Sequence, residues 1–158
     1  MVGKMGPAYP PHREHAETFR KVMTFMADAS VFDSDVIEEI RDLDTWSKKV
    51  DEVPGPVMVE FFVTWCPHCQ AEAPILDSVA PQIMASGVSV YHANAEVMYM
   101  MGDRYGISET PSFVLVQNGE PIAIHEGFLT ADELVAFSKG QINDLTPSVE
   151  QSLSSIAW

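Results

Sequence analysis

The sequence predicts an α/β fold in which a central mixed β-sheet is flanked by helices. Residues 57–63 are apolar on both faces apart from Glu60, a pattern typical of a central strand that helices cover on each side. Strand and helix patterns alternate around this segment, and Asn118-Gly119 is a hairpin-turn signal between two strand candidates. The predicted order of elements is β-α-β-α-β-α-β-β-α.

The individual elements follow from apolar periodicity and from the turn residues at their ends. Pro67 suits the first position of the helix after the central strand, because its fixed φ fits there and its missing N–H is not needed. Pro74 should kink the same helix. The predicted strands are residues 36–40, 57–63, 88–93, 112–116 and 122–125, and the predicted helices are residues 44–50, 67–86, 96–105 and 131–138.

The chain of 158 residues is long enough for one domain with a hydrophobic core and too short for two ordinary ones. We divide it into an N-terminal extension over residues 1–33, a domain over residues 34–140 and a C-terminal tail over residues 141–158. The extension combines a flexible Pro- and Gly-rich lead with an extra amphipathic helix. In the tail, Pro147 opens a candidate short helix.

The extra N-terminal helix, predicted over residues 12–29, carries Phe19, Val22, Met23 and Met26 at helical spacing. This apolar stripe either packs on its own domain or serves as a docking or dimerisation helix, for which Met is an adaptable contact residue. The sequence leaves both alternatives open.

The charge of the chain excludes two classes of partner. Nine Lys and Arg against twenty-three Asp and Glu give a formal charge of −14, which opposes binding to phosphate backbones and to anionic membrane surfaces. We therefore expect neither nucleic acid nor membrane as a partner. No apolar run approaches the roughly 18 residues of a membrane span, and the N-terminus has no apolar core of signal-peptide length. These features predict a cytoplasmic location.

The two cysteines, Cys66 and Cys69, suit chemistry better than structural cross-linking, because a bond between them would close a tiny loop. A tetrahedral metal site needs further ligands, and the sequence has no second cysteine pair. His12 and His15 are one helical turn apart but belong to the N-terminal extension. We therefore expect no metal site and no cofactor other than the cysteine pair itself.

Thiol–disulfide chemistry needs a thiolate and a second thiol within reach, and two intervening residues at a helix start provide both. We expect Cys66 to lie exposed at the helix N-terminus, where amides and the helix dipole lower its pKa, and to act as the nucleophile. Cys69, one turn further on, is the buried resolving thiol. His68 can add a hydrogen bond or positive charge near the Cys66 thiolate, which makes the disulfide more oxidising.

Glu60 is predicted on a buried strand face, where desolvation should raise its pKa. A buried acid six residues before Cys66 can carry a proton to or from Cys69. The alternative is a structural pair with a buried cation, but the predicted strands contain no Lys or Arg.

The run VMVEFFVTWCPHCQAEAPILD resembles the active-site strand and helix of the thioredoxin family, and the similarity extends over about residues 34–140. The resemblance implies the thioredoxin fold. In that family a buried acid lies six residues before the first cysteine, a Trp directly precedes it, and a Pro kinks the following helix. Glu60, Trp65 and Pro74 occupy those places.

The run RYGISETPSFVLVQNGEPI resembles the family's segment with a cis-proline beside the disulfide, followed by a hairpin and a glycine near the active site. By this resemblance Pro111 is the cis-proline and Gly127 the glycine. A cis bond there would expose the Thr110 backbone to pair with a substrate strand. Trp65, Thr110, Pro111 and Phe128 would then line a substrate groove.

The sequence departs from the thioredoxin pattern in two places. Pro67-His68 stands where thioredoxins have Gly-Pro, and the dipeptide is more like that of periplasmic oxidants of the DsbA type. Those oxidants carry a large helical insertion, whereas only 41 residues separate Cys69 from Pro111 here. His92 falls where many thioredoxins have a lysine near the buried acid, which weakens the assignment of Glu60 to proton transfer.

The leading hypothesis is dithiol–disulfide exchange on protein substrates, with the direction of electron flow left open. A reductase would take electrons from a thioredoxin reductase, whereas His68 favours a more oxidising couple. One alternative is a thioredoxin-like binding or chaperone module with incidental redox activity. Another is a dedicated partner of a peroxide- or sulfoxide-reducing enzyme, suggested by the acidic surface and by Met98, Met100 and Met101 on one helix.

Overall fold

The strand Pro56–Phe62 is the centre of a five-stranded sheet, as its two-sided apolar pattern predicts. The structure, a computed structural model, describes residues 29–144. After a short 3-10 turn at Ala29–Phe32, the elements are β1 (Glu38–Glu39), α1 (Leu43–Trp46, continued by a π-helical segment at Ser47–Asp51), β2 (Pro56–Phe62), α2 (Pro67–Ala85), β3 (Ser89–Asn94), α3 (Tyr99–Arg104), β4 (Ser112–Gln117), β5 (Glu120–Glu126) and α4 (Ala131–Ser138). The predicted order of elements and the thioredoxin fold are confirmed.

The sheet is mixed, with strand order β1-β3-β2-β4-β5. Strands β1, β3 and β2 run parallel, while β4 is antiparallel to both β2 and β5. The register places Phe62 opposite Asn94, and Phe61 opposite Ser112, so the ends of β2 and β3 meet the beginning of β4 at one edge of the sheet. We call this the cysteine edge, because Cys66 follows β2 there.

The alternating side chains of β2 fill two hydrophobic cores. Val59 and Phe61 pack on one side in a cluster that includes Trp46 of α1. Met58 packs on the other side, in a cluster that includes residues of α2 and also Leu134 of α4. Helices therefore cover both faces of the central strand, which explains why almost every position in it is apolar.

The third helix is shorter than predicted. Its pattern indicated residues 96–105, but α3 comprises only Tyr99–Arg104. The Asn94 side chain accepts a hydrogen bond from the Glu96 amide at 2.8 Å, and the Asn94 carbonyl accepts one from the Met98 amide at 2.8 Å. These bonds form a turn after β3, and such local side-chain bonds compete with helix formation.

Two predicted features lie outside the described residues and stay predictions: the amphipathic helix over residues 12–29 and the short helix opened by Pro147. The 3-10 turn at Ala29–Phe32 belongs to the N-terminal extension. Its Phe32 ring stacks on Phe62 with ring centroids 4.4 Å apart, so the end of the extension packs beside the end of β2. Within residues 29–144, no helix combines the length and the apolar character needed to cross a membrane.

We expect Leu134→Ala to lower the free energy of unfolding by about 2–5 kcal/mol, because Leu134 is fully buried between α4 and the sheet and its truncation leaves a cavity. Leu43→Ala is the matched control, since that side chain is 42% exposed, and it should cost less than about 1 kcal/mol. Urea denaturation of both variants measures the difference. Equal losses would contradict the packing of α4 described above.

Candidate active site

Cys66 lies at the junction between β2 and α2 and caps the helix. Its backbone is extended, and its Sγ accepts a hydrogen bond from the Cys69 amide at 3.2 Å. Pro67 follows as the first helical residue, as predicted. Proline suits this position because the amide hydrogen that it lacks has no partner within the helix there. Cys69, one turn into the helix, is fully buried as predicted.

The expectation that Cys66 is exposed was wrong, because only 7% of the residue is accessible. Its side chain turns back to cap α2 and packs in a cluster with Phe62 and Val63. On another side, its Sγ lies 3.6 Å from the Thr110 carbonyl oxygen. Little of Cys66 is therefore accessible to solvent, and Thr110 lies directly beside its sulfur.

The two thiols differ in acidity. Burial opposes ionisation of Cys66, but contacts with the Cys69 thiol and amide, with Thr110 and with the His68 amide outweigh it and lower the pKa of Cys66. Burial raises the pKa of Cys69 to about 12, and the contact with Cys66 adds to this. Cys66 is therefore the sulfur that carries negative charge more readily, as a nucleophile requires.

His68 follows Pro67 on the first turn of α2, and its side chain is exposed to solvent. Its backbone amide contributes to lowering the pKa of Cys66. The predicted hydrogen bond or charge from the imidazole stays a prediction.

The loop before β4 brings Thr110 and Pro111 against the cysteine pair. The Thr110–Pro111 bond is cis, as the resemblance implied. The Gly127 amide donates a hydrogen bond to the Pro111 carbonyl at 2.8 Å, so the predicted proline and glycine are in contact. Gly127 has a φ of +118°, a region that only glycine enters without strain, which explains the residue type at this position.

Glu126 braces the same loop, a role that the sequence did not reveal. One of its carboxylate oxygens accepts hydrogen bonds from the Ser108 amide at 2.7 Å, the Ser108 hydroxyl at 3.2 Å and the Glu109 amide at 3.2 Å. These bonds hold the chain directly before Thr110. The last residue of β5 therefore positions the loop that faces the cysteines.

The two predicted aromatic residues of the groove are exposed. Trp65 is 52% accessible, and its indole N–H donates a hydrogen bond to the Glu96 carboxylate at 3.2 Å. Phe128, adjacent to Gly127, is 38% accessible. Large aromatic side chains that remain exposed beside a reactive group are typical of a contact surface for a partner.

Glu60 is buried on β2, with neither carboxylate oxygen hydrogen-bonded within the described part of the chain. Burial raises its pKa well above the ordinary value, and the negative charges of Glu72, Asp77 and Cys66 add to the shift. His92 lies opposite Glu60 in the strand register, but burial lowers the pKa of His92 to about 4. A neutral imidazole therefore lies beside the buried acid, and burial favours the protonated form of Glu60.

A second buried acid, Glu72, was not predicted from the sequence. It is fully buried, and its Oε1 accepts a hydrogen bond from the Leu129 amide at 2.7 Å, while Oε2 has no partner within residues 29–144. Burial raises its pKa to about 7. The signal was present in the sequence, because Glu72 shares one helix face with Cys69, Ala73 and Leu76 and is the single charged residue among them.

Glu72 also connects the two halves of the site. Leu129 directly follows Phe128, and Gly127 is hydrogen-bonded to Pro111. The bond from Leu129 to Glu72 therefore ties the loop after β5 to α2, one turn beyond Cys69. Within the described residues, no group of three or more His, Cys, Asp or Glu side chains is placed to hold a metal ion.

We expect Glu72→Gln to reduce the pH dependence of stability. A carboxyl whose folded pKa is about 7, against an ordinary 4.5, does not affect stability below about pH 4.5, destabilises the fold progressively as the pH rises from 4.5 to 7, and does so by a constant amount above that. A shift of this size corresponds to at most about 3–4 kcal/mol. Gln keeps the acceptor for Leu129 and removes the charge, so the variant should lose less stability than wild type between pH 5 and 8.

Urea denaturation at fixed redox state across this pH range measures the effect of Glu72→Gln, and Glu52→Gln on the exposed surface is the control. If Glu72→Gln and the control show the same pH profile as wild type, Glu72 does not titrate as the structure indicates.

The site can now be compared with known proteins. The family model described as Thioredoxin matches residues 37–140, more than half of the chain. Thioredoxin Y, chloroplastic, from Oryza sativa subsp. japonica is 35% identical over 91 residues, which cover 58% of this chain and 54% of that protein. Protein disulfide-isomerase A3 from Gallus gallus is 32% identical over 108 residues, which cover 68% of this chain and 21% of that protein. The chain thus spans about half or less of the length of these relatives.

A bacterial relative is matched over nearly its whole length. Thioredoxin from Allochromatium vinosum is 31% identical over 104 residues, which cover 66% of this chain and 95% of that protein. Among solved structures, the thioredoxin Mala s 13 of Malassezia sympodialis has the same fold, with a TM-score of 0.60 at 22% identity over 66% of this chain and 90% of that chain. The family model and these relatives show that the chain belongs to the thioredoxin family.

Proposed function

We propose that this protein is a thiol–disulfide oxidoreductase that exchanges the Cys66–Cys69 disulfide and dithiol with protein substrates. The observation that carries the proposal is the inequality of the two sulfurs. Cys66 caps α2 with a lowered pKa beside Thr110, and Cys69 is buried behind it with a pKa of about 12. A two-step exchange requires one thiol that attacks as a thiolate and a second thiol that stays protonated until the mixed disulfide has formed.

In the reductive direction, the Cys66 thiolate attacks one sulfur of the substrate disulfide. A mixed disulfide forms, and the other substrate sulfur leaves as a thiolate that takes up a proton. Cys69 then loses its proton and attacks the Cys66 sulfur, so the second substrate sulfur leaves as a thiolate and is protonated. The substrate gains two electrons and two protons, and the protein is left with the Cys66–Cys69 disulfide. The oxidative direction is the reverse.

We assign the proton from Cys69 to Glu60. The support is its complete burial, its raised pKa and its electrostatic interaction with Cys66. A thiol whose pKa is about 12 needs a base close by, and an unpaired carboxylate inside the protein is a stronger base than one in water. Glu72 on the facing helix raises the basicity of Glu60 further.

We further propose that a substrate strand lies across Thr110 and Pro111. Trp65 and Phe128 contribute apolar contact area, and the Gly127 amide holds the Pro111 carbonyl. Backbone pairing with an extended segment supplies affinity without demanding a particular sequence, which suits an enzyme that acts on several proteins.

The direction of electron flow follows from the reduction potential of the pair. The relatives include thioredoxins and a protein disulfide-isomerase, and the Pro67-His68 dipeptide retains its predicted likeness to DsbA-type oxidants. We propose the cytoplasm as the location, in line with the sequence-based prediction. A thioredoxin reductase would then be the electron donor.

Trapping tests the exchange mechanism. Cys69→Ser should accumulate a mixed disulfide between Cys66 and a disulfide-bonded substrate such as insulin, because the resolving step is blocked. Cys66→Ser, which keeps a good helix cap, should accumulate none. Non-reducing gels and mass spectrometry report the adducts. Turnover by the Cys66→Ser/Cys69→Ser double variant would overturn the proposal, and unchanged substrate binding by that variant without turnover would favour the binding-module alternative.

A redox titration assigns the direction. Glutathione buffers set the redox potential of the solution, and Trp65 fluorescence reports whether the Cys66–Cys69 pair is oxidised or reduced. The Trp65→Phe variant identifies the part of the signal that comes from Trp65. Thioredoxin lies near −270 mV, protein disulfide isomerase near −180 mV and DsbA near −120 mV. We expect His68→Pro to lower the potential by about 30 mV or more, because a lost hydrogen bond to the thiolate is worth roughly that much.

His68→Gln is the control for the titration, since it keeps the His68 amide near Cys66 and removes only the imidazole. A reduction potential lowered by His68→Pro alone assigns the effect to the backbone. A reduction potential lowered by both variants assigns it to the imidazole. An unchanged potential in both would contradict any role of His68.

A further inference from the structure

The part of the sequence that builds the active site is nearly free of cationic side chains. Between Asp51 and Lys139 the only Lys or Arg is Arg104. Arg104 is bound on the opposite edge of the sheet, where its guanidinium contacts the Asp51 carboxylate at 2.9 Å and the Gly119 carbonyl at 3.2 Å. The four loops around Cys66, residues 63–68, 94–98, 106–111 and 127–130, contain no Lys or Arg at all.

Three of the four other Lys and Arg side chains within residues 29–144 form ion pairs, and the fourth, Lys139, directly follows α4. Lys48 pairs with Asp44 at 3.0 Å, both within or beside α1. Arg41 pairs with Glu39 at 3.3 Å on the outermost strand. A further pair joins Lys49 to Glu38 at 2.6 Å. Arg41 follows β1 towards the cysteine edge, but it is already paired there with Glu39.

Acidic side chains, in contrast, occupy the cysteine edge on both sides of Cys66. Glu96 is exposed and accepts a hydrogen bond from the Trp65 indole. Glu109 is exposed and directly precedes Thr110. Glu126 contributes a third negative charge in the brace of the same loop. The carboxylates therefore flank the Thr110 segment and the Trp65 side of the proposed groove.

The same edge also carries most of the exposed apolar surface. Nine large hydrophobic side chains are exposed within residues 29–144, and five of them lie here. Trp65 and Phe128 are part of the proposed groove. The others follow Glu96 in sequence and lie at or just before the start of α3: they are Val97, Tyr99 and Met100. An apolar surface with an acidic rim and with no Lys or Arg in its four loops is complementary to a segment that is apolar and cationic.

We propose that the preferred substrates of this site are disulfides in positively charged proteins, whose Lys or Arg side chains beside the reactive cysteine meet Glu96 and Glu109. The proposal rests on the exchange activity proposed above and specifies its substrate class. The apolar patch contacts the substrate strand, and the acidic rim selects its charge.

The expected effect is chiefly on the rate of encounter. A cleft of one charge sign raises the local concentration of oppositely charged ligands, and such steering changes association rates by about 10- to 1,000-fold. Because the Debye length is about 8 Å at physiological ionic strength, exposed acids act over short distances and the effect falls with salt. Anionic protein disulfides should be disfavoured for the same reason.

The test uses three peptide disulfides of identical sequence except that the residues flanking each cysteine are Lys, Gln or Glu. The second-order rate constant of each with the reduced protein is divided by its rate constant with dithiothreitol, which corrects for intrinsic reactivity. At low ionic strength we expect the Lys peptide to react at least about tenfold faster than the Glu peptide, with the ratio shrinking as salt is added. Equal corrected rates would overturn the proposal.

Two double variants test whether the charge preference arises at the cysteine edge. Glu96→Gln/Glu109→Gln removes two charges, and Gln at position 96 still offers an oxygen to the Trp65 indole. Glu52→Gln/Glu120→Gln removes two exposed charges at the opposite edge of the sheet and is the matched control. We expect only the first pair to reduce the Lys-to-Glu rate ratio, by about threefold or more. Equal reductions in both would assign the preference to net charge and contradict a site-specific rim.

Reaction with a small neutral disulfide distinguishes failure of the exchange activity from failure of the charge preference. If the protein reacts neither with 2-hydroxyethyl disulfide nor with any of the peptides, the exchange activity itself fails. If it reacts with this compound but treats the three peptides alike, the exchange activity stands and the charge preference is wrong.

Discussion

The structure depends on how the central strand ends. Because β2 is covered on both faces and paired on both sides, its chain can leave the sheet only at the cysteine edge, and α2 must begin there under the same cover. Cys66 caps this helix. Its sulfur accepts the amide hydrogen bond that a Ser, Thr or Asp side chain commonly accepts at such a position. The atom that satisfies the helix amide is also the atom that performs the proposed chemistry. Fold and reactivity are therefore coupled at one sulfur.

The loops that face this sulfur form a closed series of contacts. Thr110 lies against Cys66, the Pro111 carbonyl binds Gly127, and Leu129 binds Glu72, which stands one turn beyond Cys69 on α2. Each contact joins segments that are distant in sequence, so the geometry at the cysteines is held from several directions. Such support from neighbouring elements is what keeps a reactive group in one orientation.

Glu60 and Glu72 give the interior an unusual electrostatic character. Both are buried between β2 and α2, the neighbouring His92 is neutral, and three of their four carboxylate oxygens have no hydrogen-bond partner within the described residues. Burial raises the pKa of both carboxyl groups, and the charge of Glu72 raises the pKa of Glu60 further, so each is protonated more readily than a carboxyl group in water. The neutral His92 supplies no positive charge to offset these two carboxyl groups.

The sequence by itself determined what depends on neighbouring residues: the order of elements, the central strand, the hairpin turn, the start of α2 at Pro67 and the burial of Cys69 and Glu60. Periodicity and turn chemistry are local, so they can be read from the chain. Only the tertiary structure decided the burial of Cys66, the shortening of α3, the brace at Glu126 and the pairing of Glu72 with Leu129. These depend on segments far apart in sequence, whose approach is set by packing and by the register of the sheet.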